Sequence, residues 1–172
     1  MKQTWIAAAS WCAPLLLAGC GERVTQPAGD TPGARLEAAA VAEGLVADPT
    51  RATLVGSWAR DTDRLCVVGA EGGEQRIGAL VDYGEGQSCS AAGTVRRAGE
   101  RLRIAFARDC RFDARFDGER ITFPAELPEG CETLCSGRAS LAALSAERLS
   151  TAASEAATLR GRGGQLLCGN TG

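Results

Sequence analysis

Nine residues with a strict period of two, Asp109–Asp117, constrain the fold more than any other feature of this chain. The odd positions are charged and alternate in sign: Asp109, Arg111, Asp113, Arg115 and Asp117. The even positions are Cys110, Phe112, Ala114 and Phe116. Because successive side chains of a strand point to opposite faces, this pattern predicts a half-buried strand with a solvated, charged outer face.

Tight turns divide residues 52–125 into seven short segments of this kind. Asp117-Gly118 and Ala98-Gly99 suit two-residue hairpin turns, and Glu71–Glu74 suits a longer turn with two glycines. The segments between the turns leave no room for crossover helices. We therefore predict a mainly all-β domain, an antiparallel meander that closes into a small barrel or packs as a sandwich to cover its edges.

The two-residue turns also predict a register for each hairpin. Phe116 would face Glu119 across the later turn, and Val95 would face Leu102 across the earlier one. With this pairing the apolar residues of both hairpins fall on one face of the sheet.

Other patterns flank the predicted domain. Residues 20–33 contain two prolines and three glycines, which predicts a flexible tether. Residues 34–48 are rich in alanine with apolar residues near helical spacing, and they predict a helical stalk or lid. Residues 126–172 are predicted to form a disulfide-pinned extension, with short helices at Ser140–Leu149 and Ser150–Arg160.

The N-terminus has the pattern of an exported chain. A short start containing Lys2 precedes Trp5–Leu17, which is apolar apart from one serine and too short for a permanent transmembrane helix. The next residues complete the sequence Leu17-Ala18-Gly19-Cys20, which resembles the lipobox of bacterial lipoproteins. The resemblance implies that residues 1–19 are a signal peptide and that Cys20 carries an acyl anchor, so a membrane is an expected partner.

Position 21 and the charge balance narrow the location and the partners. By the same resemblance, an aspartate at position 21 would favour retention at the inner membrane. Gly21 therefore implies that the protein is carried to the outer membrane, where it faces the periplasm or the outside. Without residues 1–19 the chain keeps 153 residues, enough for one domain, with 18 arginines against 21 acidic residues and a net charge of −3. This balance does not indicate a nucleic-acid partner.

Six cysteines remain for structural roles once Cys12 and Cys20 are set aside, and they are Cys66, Cys89, Cys110, Cys131, Cys135 and Cys168. An even set in an exported chain predicts disulfides. Thiolates at Cys131 and Cys135 could share a zinc ion, but the chain has no histidine to complete the site, so we expect no metal.

The predicted strands favour one set of pairs among the fifteen that six cysteines allow. Cys89 and Cys110 would lie nearly opposite each other on neighbouring strands and face inward. Two other cysteines are only four residues apart. The predicted pairs are Cys89–Cys110, Cys131–Cys135 and Cys66–Cys168.

The composition also excludes common catalytic chemistry. The absence of histidine excludes Ser-His-Asp and Cys-His mechanisms, and Lys2, the one lysine, leaves with the signal peptide. Paired carboxylates remain, but Asp61 and Asp63 fall in a turn, and the aspartates of Asp109–Asp117 alternate with arginines, which is typical of a solvated face. We predict that the protein is not an enzyme and has no cofactor.

Gly56-Ser57-Trp58, at the head of the meander, resembles the Gly-x-Trp start of lipocalin-like barrels, in which the tryptophan plugs the closed end. Bacterial metalloprotease inhibitors of the Inh type share this start and a disulfide that follows it. Cys66 and Cys89 stand at about the corresponding places, so the resemblance implies an alternative Cys66–Cys89 pair. The chain as a whole resembles a family of small cysteine-rich lipoproteins of alphaproteobacteria.

The function predicted from these features is that of a non-enzymatic envelope lipoprotein, a binding or structural module with an envelope protein as a possible partner. The first alternative is a periplasmic protease inhibitor of the Inh type. The second is a carrier of a small apolar ligand, although four phenylalanines (Phe106, Phe112, Phe116 and Phe123) suffice to fill a narrow barrel.

Overall fold

A computed structural model describes residues 31–46, 48–70 and 72–169, so the lipobox and Cys20 lie outside the described residues. The described strands are β1 (Gly56–Arg60), β2 (Asp63–Val68), β3 (Glu74–Asp82), β4 (Ser88–Ala98), β5 (Arg101–Ala107), β6 (Cys110–Phe116), β7 (Arg120–Thr122), β8 (Cys135–Ser136) and β9 (Ser145–Ser150). The helices are α1 (Pro32–Ala42), α2 (Ala153–Thr158) and a 3₁₀ helix at Glu129–Leu134.

The strands form a closed, eight-stranded antiparallel barrel, which confirms the predicted fold class. Strands β1 to β7 pair in chain order, each with the next. Strand β9 then pairs with both β7 and β1 and closes the ring. Strand β8 stands outside the ring and pairs with the first two residues of β4. Closure removes the free edges that an open meander of this size would expose.

The closing strand β9 corrects one prediction. All its residues but the last, Ser150, lie in the segment Ser140–Leu149, which was predicted to be helical, whereas α2 lies within the second predicted helix. Ala146 is buried and Glu147 is exposed, as expected for the two faces of a strand. The gap between β7 and β1 offers backbone partners on both sides, and this tertiary pairing outweighs the helical spacing of the leucines.

The hairpin between β6 and β7 has a longer turn than predicted. The side-chain oxygen Oδ1 of Asp117 accepts hydrogen bonds from the backbone N–H groups of Glu119 and Arg120, at 3.0 and 2.7 Å. Phe116 therefore pairs with Ile121 and not with Glu119, so the predicted register is wrong by two residues.

The hairpin between β4 and β5 shows the same displacement. Its turn lies at Gly99-Glu100, one residue later than predicted, and Gly99 has a φ of 65°. Val95 consequently pairs with Ile104 and not with Leu102. A shift of two residues leaves every side chain on its predicted face of the sheet, which is why the predicted barrel interior is correct.

Helix α1 is shorter than the predicted segment 34–48. It ends at Ala42 because Gly44 adopts a φ of 70°. The backbone N–H groups of Gly44 and Leu45 donate to carbonyls of the last turn at 3.0 and 2.9 Å, the pattern of a Schellman motif. No residue of α1 is buried.

Side chains fill the barrel interior, and a second cluster lies outside it. The largest fully buried side chains include Trp58, Phe116, Phe123, Leu54, Leu65, Ile77, Leu102, Ile121 and Leu141. The outer cluster joins β2 to α2 and the C-terminal segment through Cys66, Val68, Ala156, Leu167 and Cys168. Strand β2 is therefore buried on both of its faces.

The six described cysteines form three disulfides, Cys66–Cys168, Cys89–Cys135 and Cys110–Cys131. The first is the predicted pair, and it fixes the C-terminal segment to the outer face of β2. The other two attach the segment that contains β8 and the 3₁₀ helix to one end of the barrel.

The predicted pairs Cys89–Cys110 and Cys131–Cys135 are wrong. At its first residues β4 pairs with β8 instead of β5, and this pairing places Cys89 directly opposite Cys135. The alternative Cys66–Cys89 is also wrong, because Cys66 belongs to the outer cluster and Cys89 to the interior one.

The disulfides predict a measurable order of stabilities. Cys66–Cys168 closes a loop of 102 residues and Cys110–Cys131 one of 21. In the chain-entropy model we expect the double variant Cys66→Ala/Cys168→Ala to lose about 4–5 kcal/mol of unfolding free energy and Cys110→Ala/Cys131→Ala about 3 kcal/mol. Urea denaturation of the oxidised proteins measures both losses. An equal or reversed order would contradict the prediction.

Candidate functional site

Trp58 is fully buried and packs against aromatic and cationic groups near the barrel end at which β1 begins. The guanidinium carbon of Arg148 lies 4.2 Å from the centroid of its ring, and the ring of Phe116 meets it edge-on at 5.7 Å. A second arginine, Arg97, lies 4.6 Å from the centroid of Phe116. Both arginines project inward from the barrel wall, and they form with the two rings a cation–π cluster.

The same two guanidinium groups bind the chain across this end of the barrel. Arg148 donates hydrogen bonds to the carbonyl oxygens of Thr53 and Gly118, at 2.8 and 2.5 Å. Arg97 donates to the carbonyl of Ala52 at 2.5 Å. The segment that precedes β1 is thereby held over the end that contains Trp58, and we call this end the closed end.

A lid, defined as Pro124–Leu144, covers the opposite end. Cys131 and Leu141 of the lid are buried in the same hydrophobic cluster as the barrel interior, and two disulfides hold the lid in place. Beneath it lie three packed rings, those of Phe106, Phe112 and Phe123, with centroid separations of 4.9 to 6.2 Å. The interior is thus filled by side chains and covered at both ends.

The candidate carboxylates lie apart on the surface. Asp113 points outward from β6 and Asp117 accepts backbone hydrogen bonds in the following turn. Asp61 and Asp63 share a small groove of about 210 Å³ at the lid end. Burial is the main reason that the pKa of the Asp63 carboxyl is raised; a backbone hydrogen bond from Asp82 lowers it in part, and the charge of Asp61 raises it further.

The outer surface of β3 to β6 carries the most concentrated charge pattern among the described residues. We define the arginine face as the six outward arginines of these strands, Arg76, Arg96, Arg101, Arg103, Arg111 and Arg115, all of them exposed. Glu74 and Asp113 project from the same strands over this area, and Glu100 of the turn between β4 and β5 contacts Arg115 at 3.5 Å. With six arginines against three carboxylates, the face carries a net positive charge.

The pairing of the strands places like charges opposite each other on this face. Arg96 is the direct cross-strand partner of Arg103, and Arg101 is the partner of Arg115. Three of these four arginines have a carboxylate partner: Arg96 contacts Glu74 at 3.0 Å, Arg101 contacts Asp113 at 3.8 Å and Arg115 contacts Glu100 at 3.5 Å. Arg103 has no ion-pair partner within 4 Å in the part of the chain that the structure describes. Like charges directly opposite in a sheet are destabilising, so an anionic group beside Arg103 would be favourable.

A groove of about 530 Å³ crosses the arginine face, and its charged lining consists of Arg96, Arg103 and Arg111 with Glu74 and Asp113. Guanidinium groups bind carboxylate and phosphate oxygens through two parallel hydrogen bonds, which a lysine cannot do. This surface can therefore hold anionic oxygens without moving the backbone.

Sequence reasoning missed the arginine face although it found most of its residues. Each strand contributes one or two arginines at alternate positions, and in the sequence these are separated by turns and apolar residues. The alternating pattern did place Arg101, Arg103 and Arg111 on the outer face of the sheet. The register that aligns them with Arg96 depends on turns that were predicted wrongly.

No family model, curated protein or solved structure is detectably similar to this chain. Within the described residues, no helix has the length and apolarity to cross a bilayer. The same part of the chain contains no cluster of three or more cysteine, aspartate or glutamate side chains placed to hold a metal ion. The features that bear on function are therefore those of the barrel itself.

The cation–π cluster predicts a selective effect of replacing Arg148. Arg148→Ala removes the group stacked on Trp58 and leaves the carbonyls of Thr53 and Gly118 without their donor, so we expect a loss of about 2–4 kcal/mol of unfolding free energy. Trp58 is the only tryptophan after residue 19, so its fluorescence should also shift to longer wavelength. Arg120→Ala, which removes an exposed arginine from neighbouring β7, should change the unfolding free energy and the fluorescence wavelength little. Equal effects of the two variants would contradict the role of Arg148.

Asp63 predicts a pH-dependent effect. Because the folded state raises the pKa of this carboxyl, its contribution to stability is complete below the usual value of 3.8 and is lost as the pH rises through the raised value. Asp63→Asn should therefore be more stable than the parent at pH 7, by less than about 1 kcal/mol because solvent still screens the group. Thermal unfolding at pH 7 and below about pH 4 measures this gain in stability, which should vanish at the lower pH. Asp113→Asn serves as the control on the solvated outer face, and a gain that persists in acid would contradict the assignment to Asp63.

Proposed function

We propose that this protein is a non-enzymatic lipoprotein of the outer membrane, anchored through acylated Cys20, whose barrel contacts another envelope component through its outer surface. The observation that supports an external contact is the filled interior, which Trp58 and the lid cover at its two ends. A binding partner must then use the outside of the barrel, where the arginine face is uncovered.

The anchoring part of the proposal is supported by the sequence. Leu17-Ala18-Gly19-Cys20 follows an apolar run of export length, and residues 20–33 have the composition of a flexible tether. The non-enzymatic part is supported by the lack of histidine and by the loss of Lys2 with the signal peptide. Gly21 supports the outer membrane as the destination.

The two alternatives receive less support from the geometry. An Inh-type inhibitor would insert its N-terminal segment into a protease, but a lipid on Cys20 would occupy that end of the chain. The disulfide that the resemblance implied, Cys66–Cys89, is replaced here by other pairs. A carrier would need interior space, whereas Trp58 and Phe116 are fully buried in the barrel.

Affinity capture separates the three functions. The chain from residue 21 to 172, exported into the periplasm and immobilised, should retain envelope components and leave protease activity in the extract unchanged. Capture of a secreted protease with loss of its activity would favour the inhibitor, and an apolar ligand copurified in equimolar amount would favour the carrier. Either result would overturn the proposal.

The lipid anchor predicts the behaviour of two cysteine variants. In a Gram-negative host the parent chain should incorporate labelled palmitate and remain with membranes after a wash in about 1 M salt, which screens charge contacts. Cys20→Ser should lose the label and become soluble or remain unprocessed. Cys12→Ser changes a cysteine of the same apolar run and should behave like the parent. Normal cleavage and membrane retention of Cys20→Ser would show that the lipobox assignment is wrong.

A further inference from the structure

We propose that the arginine face docks on anionic phospholipid headgroups of the membrane that holds the acyl anchor. This inference deepens the proposed function, on which it rests, by naming the envelope component that the outer surface contacts. The barrel would then lie with β3 to β6 towards the bilayer, and the anchor would no longer be its only contact.

One like-charge pair of the face is only partly compensated. Arg96 lies opposite Arg103, and of the two only Arg96 has a carboxylate partner, Glu74, so repulsion remains at Arg103 in the free protein. The pair Arg101 and Arg115 is already compensated by Asp113 and Glu100. Each guanidinium can bind phosphate oxygens through two hydrogen bonds, and a phosphate between two arginines replaces repulsion by attraction. Headgroup phosphates therefore relieve a repulsion that the fold itself creates.

The face is broad as well as positive. Its arginines lie on four adjacent strands, a width of roughly 15 Å along the curved barrel wall at the usual strand spacing. In one cross-strand row Glu74 and Asp113 flank Arg96 and Arg103, whereas the row of Arg101 and Arg115 contains no acidic residue. A broad array of single charges does not enclose a small ligand, but lipids diffuse in the plane of a bilayer and can place one headgroup beside each arginine.

The charge outside the arginine face is also unevenly distributed. The lid carries Glu126, Glu129 and Glu132 against one arginine, Arg138. An anionic surface attracts the arginine face and repels the lid, so it selects one orientation of a chain whose net charge is negative. The barrel therefore has the uneven charge distribution that favours docking on its side.

The length of chain between the anchor and the barrel limits how far the barrel can move from the membrane. Gly56, the first residue of the barrel, follows Cys20 by 36 residues. Such a segment spans at most about 130 Å, so the anchor confines the barrel to the neighbourhood of the headgroups and raises its effective concentration there. Membrane binding by one lipid signal combined with basic residues is a recurrent arrangement.

The test measures vesicle binding in the absence of the acyl chain. All buried described residues and all three disulfides lie between Leu54 and Cys168, so a periplasmically exported chain of residues 21–172 keeps the folded core. We expect it to cosediment with vesicles of phosphatidylcholine mixed with phosphatidylglycerol and not with phosphatidylcholine alone. Binding should disappear in about 1 M salt, where the Debye length is about 3 Å.

Two double variants, each of which loses two positive charges, show which surface contacts the vesicle. Arg103→Gln/Arg111→Gln removes two arginines from the groove, and at about fivefold per arginine it should weaken binding about 25-fold. Arg60→Gln/Arg138→Gln removes two exposed arginines outside the face and should bind within about twofold of the parent. Thermal unfolding of both variants checks that each is folded.

Three results would overturn the proposal: equal binding to both kinds of vesicle, equal binding by the two double variants, or binding to soluble acidic polymers but not to vesicles. None of these measurements uses Cys20. Failure of the arginine face is therefore distinguishable from failure of the anchor, which palmitate labelling of the full chain reports.

Discussion

The stacking of Arg148 on Trp58 is the contact on which the rest of the barrel depends. Trp58 belongs to the first strand and Arg148 to the last, and the two are direct cross-strand partners. Their contact pairs strands that are far apart in the chain, and the entropy lost on closing such a loop must be offset by buried contacts. Gly56 shows how close this approach is, because a Cβ atom there would clash with the carbonyl oxygen of Ser150.

At the lid end two disulfides hold the covering segment in place, as the cation–π cluster does at the closed end. Strand β4 pairs with β5 over its later residues and with β8 over its first two, so the wall of the barrel opens towards the lid. Cys89–Cys135 and Cys110–Cys131 attach the lid on either side of this opening. The apolar rings beneath it are then covered without a long closing strand.

Closure at both ends is the reason that we propose a contact on the outer surface, and the charges there are not evenly spread. A net charge of −2 over the whole sequence conceals a positive wall on β3 to β6 and an acidic lid. The C-terminal segment covers the outer face of β2 and reaches β3, where Leu167 approaches Gly78 so closely that a Cβ atom would not fit. The six arginines of the arginine face remain exposed beside this covered area.

The sequence by itself determined the strand class, the inward and outward parity of side chains and the use of cysteines in disulfides, because a period of two and a cysteine set without histidine are local properties. The tertiary structure alone decided which cysteines meet and that Ser145–Ser150 is a strand, since both depend on how the ring closes. It also decided that arginines from four strands form one face. A register shift of two residues preserves parity but changes every cross-strand neighbour, so faces could be predicted whereas pairs could not.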